Sequence, residues 1–181
     1  MKYASIKYFD IANGPGTRVS LFVSGCTHHC KGCFNEIAWD FNYGNDFTTD
    51  VEDSIISKLK NPLYNGLSLL GGEPMEPQNQ IALLPFIERV RNECPEKDIW
   101  CYSGYTWEEL TGTMSAQVTS RLLDMIDILV DGPFILQKKD ISLTFRGSSN
   151  QRILDVKESL KYKKPIFWKP DKDITMTGNI R

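Results

Sequence analysis

The chain has 181 residues, 41% hydrophobic and 24% charged, with a net charge of −2; that is enough apolar material for one core and one domain. The near-neutral balance excludes the broad basic footprint of a nucleic-acid binder, and no apolar run reaches the roughly 18 residues of a membrane span. The opening MKYASIKYFD is too polar for a signal peptide, so the chain is expected to be soluble and cytoplasmic, with neither a nucleic acid nor a membrane as partner.

In chain order, Val19, Leu21 and Val23 alternate with Ser20, Phe22 and Ser24, a strand pattern that ends at a cysteine loop. Residues 34–47 read as a loop rich in Asn, Asp, Gly and aromatics. Thr49 and Glu52 form a capping box, with Val51, Ile55 and Leu59 as the buried stripe of the helix that follows. Leu67–Leu70 is a short apolar strand running into Gly71-Gly72-Glu73-Pro74. A helix is expected over Ile81–Asn92, with Pro85 in its first turn. Ile99–Tyr102 is a third strand, ending at Ser103-Gly104. Thr106 and Glu109 make another capping box, Ser115–Met125 a helix and Ile126–Val130 a strand ending at Asp131-Gly132-Pro133. Two more strands are expected near Ile141–Phe145 and Arg152–Val156, and a Lys-rich tail after Asp155, with Asp171 and Asp173, is expected to pack loosely.

Strands alternating with amphipathic helices predict an α/β fold with a parallel sheet. A complete eight-fold barrel takes about 250 residues, so an open, partial β/α barrel is expected. In such sheets ligands bind beyond the carboxyl ends of the strands. The cysteine loop, GGEP, YSGY and DGPF all follow strands.

The loop SGCTHHCKGCFN holds three of the five cysteines, Cys26, Cys30 and Cys33, spaced C-x3-C-x2-C. In a reducing compartment such clusters are metal ligands or redox groups rather than disulfides, and an odd total disfavours a complete disulfide framework. Structural zinc needs a fourth ligand in a closed tetrahedron, and His28 or His29 in the same short gap would be cramped. A thioredoxin-like dithiol of Cys30 and Cys33 leaves Cys26 unexplained. The third reading is an iron–sulfur cluster held by three thiolates, with one iron free to bind a substrate. Cys94 and Cys101 read as packed small side chains, and the two histidines as loop residues. The two glycines of GGEP allow a close backbone approach to a ligand, and Glu73 or free carbonyls there could accept from an ammonium group.

The C-x3-C-x2-C spacing is the signature of the radical S-adenosylmethionine enzymes, which this sequence resembles. The resemblance implies a 4Fe-4S cluster on Cys26, Cys30 and Cys33 whose free iron chelates S-adenosylmethionine. One-electron cleavage then gives methionine and a 5′-deoxyadenosyl radical that abstracts hydrogen. It further implies that Gly71, Gly72, Glu73 and Pro74 bind the methionyl amino group; Ser103, at the end of its strand, is expected to touch the cofactor. One position departs from the pattern: an aromatic commonly precedes the last cysteine, and here Gly32 stands there with Phe34 after Cys33. Adenine packing is therefore expected from the Gly32–Phe34 backbone, from Phe34, or from both.

Three further stretches, DIANGPGTRVSLFVSGC from Asp10, ECPEKDIWCYSGYT from Glu93 and FRGSSNQRI from Phe145, narrow the resemblance to the activating proteins of anaerobic ribonucleoside-triphosphate reductases. It covers residues 3–156. It implies a radical S-adenosylmethionine domain over 1–156, a tail of unassigned role over 157–181, the reductase large subunit as partner and flavodoxin or a similar reductant as electron donor. The reaction would place a glycyl radical on the reductase. Arg146 is expected to contact the reductase or the cofactor. The alternatives are an activase of another glycyl-radical enzyme, such as a formate-lyase, and a zinc-stabilised interaction module without catalysis.

Overall fold

The computed structural model describes residues 1–170. Four strands with apolar, β-branched or aromatic residues form its centre: β2 (Arg18–Val23), β4 (Gly66–Gly71), β5 (Asp98–Tyr102) and β6 (Ile128–Asp131). They pair in parallel in the order β2-β4-β5-β6, joined by crossovers that carry α1 (Thr49–Leu59), α2 (Pro77–Glu93), and the pair α3 (Trp107–Thr111) and α4 (Gln117–Met125). Strands covered on both faces read as near-continuous buried runs, and all six residues of β2 are buried.

The expected parallel sheet is confined to this centre. β1 (Lys2–Asp10) adds antiparallel to β2 and carries the two-residue β3 (Asn45–Asp46), while β7 (Arg152–Asp155) adds antiparallel to β6. The seven strands run β3-β1-β2-β4-β5-β6-β7, and the sheet does not close.

Strand side chains alternate between faces, and the register makes that alternation coherent. Val19, Leu67 and Ile99 lie side by side, and with Leu21, Leu69 and Leu129 they meet Ile55, Leu59, Phe86, Ile87 and Leu122 of the helices in the main core. The intervening row, Ser20, Ser68, Trp100 and Ile128, faces the other way, where loops rather than helices cover it. There Trp100 and Val130 pack with Tyr102, Phe145, Ile153 and Trp168. Arg18, fully buried, spans this face: Nε donates to Ser68 Oγ (2.7 Å), the guanidinium pairs with Asp98 (2.6 Å) and lies over the Trp100 ring. Ser68 Oγ in turn donates to the Asn13 carbonyl (2.5 Å), which ties the turn after β1 to the sheet.

Several local expectations are corrected. The N-cap of α1 is Thr48, without a side-chain cap bond, and Thr49 is already helical. α2 starts at Pro77, so Pro85 lies inside it rather than in its first turn. The buried stripe of Leu83, Phe86, Ile87 and Val90 outweighs one missing hydrogen bond. The Thr106–Glu109 capping box forms as expected. Residues Ile141–Phe145 are turns, not a strand: Asp140 accepts from Ser142 N–H (2.8 Å), Phe145 has φ +56°, and β7 already occupies the edge of β6. Nor is the segment after residue 156 loose through residue 168. Asp155 caps α5 (Val156–Tyr162), and the chain then returns along β7, with Trp168 N–H donating to the Ile153 carbonyl (2.9 Å) and its ring 5.1 Å from Trp100. Asp171 and Asp173 lie outside the described residues.

Asp127 sits where β6 begins. It accepts from Ile99 N–H (2.8 Å) and pairs with Arg91 (2.5 Å) and Lys157 (2.7 Å). Burial pushes its carboxyl up, but Arg91, Lys157 and Ile99 together hold it below the ordinary carboxylate range. A depressed folded-state pKa stabilises above the unfolded pKa and is lost as pH falls through the folded value. Asp127→Asn is expected to cost about 2 kcal/mol at pH 7. It should also flatten the fall of stability below pH 4, as read from urea denaturation across pH.

Candidate metal and cofactor site

The loops after β2, β4, β5 and β6 meet at one end of the sheet around a cavity of about 440 Å³. Cys26, Cys30 and Cys33 all line it, each a free thiol, Cys26 buried and the other two half-buried. The loop is braced from behind: Cys26 N–H donates to the Trp39 carbonyl (3.1 Å), and Cys33 N–H to the Cys30 carbonyl (3.1 Å). Asn35 N–H points at Cys33 Sγ (3.4 Å). Burial pushes the Cys26 thiol up to about 12, with Glu73 and Glu76 adding to it, and burial likewise raises Cys30. Metals are ligated by the thiolate, so a metal bound here would displace these protons.

Among the described residues no three His, Cys, Asp or Glu side chains converge as ligands of a single metal ion. Three thiols lining one cavity suit a multi-iron cluster, which takes each thiolate at a separate iron. The donor set fits a 4Fe-4S cluster, and it does not supply the closed four-ligand tetrahedron of structural zinc.

Behind the cysteines lies a buried carboxylate, Glu73. Its Oε1 accepts from Met75 N–H (2.8 Å) and Ser103 Oγ (2.9 Å); its Oε2 accepts from Gly104 N–H (2.6 Å) and lies 3.1 Å from His28 Nε2. The side chain is therefore filled by the protein. The Glu73 carbonyl accepts from Asn79 Nδ2 (2.9 Å), whereas the Gly72 carbonyl accepts no hydrogen bond among the described residues. Gly72 is needed for a protein contact, because a Cβ there would stand 2.5 Å from the Gly25 carbonyl.

Gly32, Cys33, Phe34, Gly71, Gly72, Glu73 and Ser103 all line the cavity, while Pro74 is buried beside it and does not. Ser103 Oγ also accepts from Tyr105 N–H (3.1 Å). Arg146 lines the cavity and donates to the Gln151 carbonyl (2.7 Å). Asp131 is fully buried and accepts from Trp107 N–H (2.7 Å) and Arg152 Nε (2.9 Å), so it fastens α3 to β7. Cys94 and Cys101 are core residues.

Sequence reasoning missed three supports. His28 is more than a loop residue: it packs edge-to-face with Tyr105 (4.3 Å between ring centres) as well as meeting Glu73, whose hydrogen bond raises its pKa against the opposing effect of burial. Glu76 accepts from Thr27 N–H (2.8 Å) and Oγ1 (2.5 Å). Asn79 Nδ2 donates to the Ser24 carbonyl (3.0 Å). The available signal was the run of polar residues Glu76, Asn79 and Gln80 at the start of a helix, directly after GGEP.

The family model described as "4Fe-4S single cluster domain" matches residues 12–154. A Vibrio cholerae protein is 48% identical over 155 residues, covering 84% of this chain and 97% of that protein. One from Escherichia coli K12 is 48% identical over 153 residues, 83% and 96% of the two chains. One from Enterobacteria phage T4 is 37% identical over 153 residues, 84% and 93%. Each is named anaerobic ribonucleoside-triphosphate reductase-activating protein.

Glu73→Gln places an amide N–H₂ against a protein donor on one side of the site. It is expected to cost about 2–3 kcal/mol of stability and to speed iron loss to a chelator. Ser103→Ala, which removes one donor, should cost about 1 kcal/mol. Anaerobic denaturation and timed iron release measure both.

Proposed function

This chain belongs to the anaerobic ribonucleoside-triphosphate reductase-activating protein family, and we propose from that premise that it generates the glycyl radical of such a reductase. The observation that carries the reading is the placement of Cys26, Cys30 and Cys33 on the wall of one cavity that also holds the GGEP loop. We read the open sheet as a partial barrel of the radical S-adenosylmethionine type, with residues 1–156 as the catalytic domain. The role of residues 157–181 is unassigned.

In this reading Cys26, Cys30 and Cys33 hold the 4Fe-4S cluster. When bound, the cluster and S-adenosylmethionine supply one-electron cleavage and the hydrogen-abstracting species. The protein binds and orients. Because the Glu73 carboxylate is occupied by four protein groups, the methionyl amino group falls to the backbone of Gly71 and Gly72. Glu73 and Pro74 set the path of that backbone. Ser103, engaged with Glu73, lies on the cofactor side, and the backbone of the Gly32–Phe34 stretch packs the adenine. A cavity open on one side admits a peptide segment, in keeping with a protein substrate. Flavodoxin or a similar reductant supplies the electron in the cytoplasm, and neither nucleic acid nor membrane takes part.

The test is anaerobic reconstitution, iron and sulfide assay, and reduction with S-adenosylmethionine present. The unaltered chain is expected to hold a full cluster and release 5′-deoxyadenosine, and to give a glycyl-radical signal by electron paramagnetic resonance when the reductase is added. Cys30→Ala should lose the cluster and both activities. A Cys30→Ala chain that kept a full cluster and released 5′-deoxyadenosine would contradict the site. A radical formed on a formate-lyase but not on the reductase would move the partner.

A further inference from the structure

Apart from the contact expected of Arg146, the activase reading leaves the connection between β6 and β7, residues 132–151, without a task. Its stem is firmly built. Ser148 is buried, and its Oγ accepts from Ile135 N–H (3.3 Å). Lys139 and Ser148 form an antiparallel bridge. Gln151 Oε1 accepts from Gly147 N–H (2.9 Å) and Ser148 N–H (3.1 Å), and Asn150 Nδ2 donates to the Pro133 carbonyl (2.7 Å). The Phe145 ring turns inward against Trp100 at 5.4 Å.

The tip on that stem points outward. Ile141 is 94% exposed. A scattered surface isoleucine needs no explanation, but this one stands on the rim of the cofactor cavity. Phe34, 82% exposed on the cysteine loop, lines the same cavity. The connection carries three cations, Lys138, Lys139 and Arg146, against one carboxylate, Asp140, in a chain whose net charge is −2. Asp140 already accepts from the Ser142 N–H (2.8 Å) and hydroxyl (2.6 Å). The rim thus offers two apolar contacts and a local excess of positive charge.

We propose that this tip is the docking surface for the glycine-bearing segment of the reductase, an extended peptide with an apolar side chain seated on Ile141 and Phe34 and acidic residues facing Lys138 and Lys139. The inference rests on the activase reading. A peptide substrate is favoured over the electron donor because the tip forms a wall of the cavity itself. A substrate that gives up a hydrogen must pass that wall, whereas a reductant need only approach the cluster.

The test uses the full, reconstituted chain with the reductase, in the variants Ile141→Asp and Lys138→Glu/Lys139→Glu. Each is expected to raise the reductase concentration for half-maximal glycyl radical by about tenfold, equivalent to about 1.4 kcal/mol. Iron content and 5′-deoxyadenosine release without reductase should be retained. The double lysine variant should also lose salt dependence, and Ile141→Val should behave as the unaltered chain. Unchanged half-saturation in both variants would overturn the proposal, as would a shift in flavodoxin saturation in place of reductase saturation. Failure of the activase reading has a separate signature: the unaltered chain would release 5′-deoxyadenosine and yet leave the reductase glycine untouched.

Discussion

The site hangs on a buried carboxylate. Glu73 follows β4, and its two oxygens gather Met75 from its own loop, Ser103 and Gly104 from the loop after β5, and His28 from the cysteine loop after β2. A buried anion is costly unless hydrogen bonds replace its water, and here all its partners are donors or a protonatable ring. The low dielectric that makes an unpaired charge expensive also strengthens these bonds. Three separate crossovers therefore share one reference point, and the cysteines inherit their position from it. The same negative charge sits close enough to raise the Cys26 and Cys30 thiols beyond what burial does alone. A metal bound here would supply the positive charge that this environment lacks for thiolates.

The two faces of the sheet divide the work. Helices bury Val19, Leu69, Ile99 and Leu129 on one face, and that core supplies stability without touching the cavity. On the other face the chain uses loops: the turn held by Arg18 and Ser68, the β6–β7 connection, and the returning segment that carries Trp168. Trp100 is the meeting point, with Phe145 and Trp168 edge-on to it and Arg18 over its ring. A loop-covered face can be open at one end, which a helix-covered face of this sheet cannot. The cavity lies at that end.

What was legible in the sequence was local. The cysteine spacing, the GGEP turn, the Thr106–Glu109 capping box and the four central strands are each set by residues close together in the chain. β1 was missed because its burial is partial and its role as an antiparallel neighbour depends on β2. Ile141–Phe145 imitated a strand by alternation, but a strand needs an edge to pair with, and β7 holds it. His28, Glu76 and Asn79 were underrated because their partners lie roughly fifty residues away or across a loop whose path only the fold defines. Glu73 was seen as a ligand for the cofactor, because its filling by Ser103 and Gly104 is a long-range fact. The helix after residue 155 was hidden by its Lys-rich composition, although Asp155 and Glu158 stand at cap spacing.

The departure at Gly32 has a steric cause. Its φ is +72°, a conformation that L side chains rarely adopt. A Cβ there would also stand 3.0 Å from Leu136 Cδ1, on the connection that walls the cavity. An aromatic side chain at 32 would meet both obstacles, the backbone and the wall. Two positions later the backbone obstacle is gone: Phe34 is not in the left-handed region and still lines the cavity. Leu136 thus brings the β6–β7 connection up to the cysteine loop at Gly32. An aromatic at 32 would meet the backbone strain first, and the end of the Leu136 side chain would have to give by a few tenths of an ångström. In this chain the aromatic of the cysteine loop therefore stands at 34, where the backbone is not in the left-handed region that Gly32 adopts.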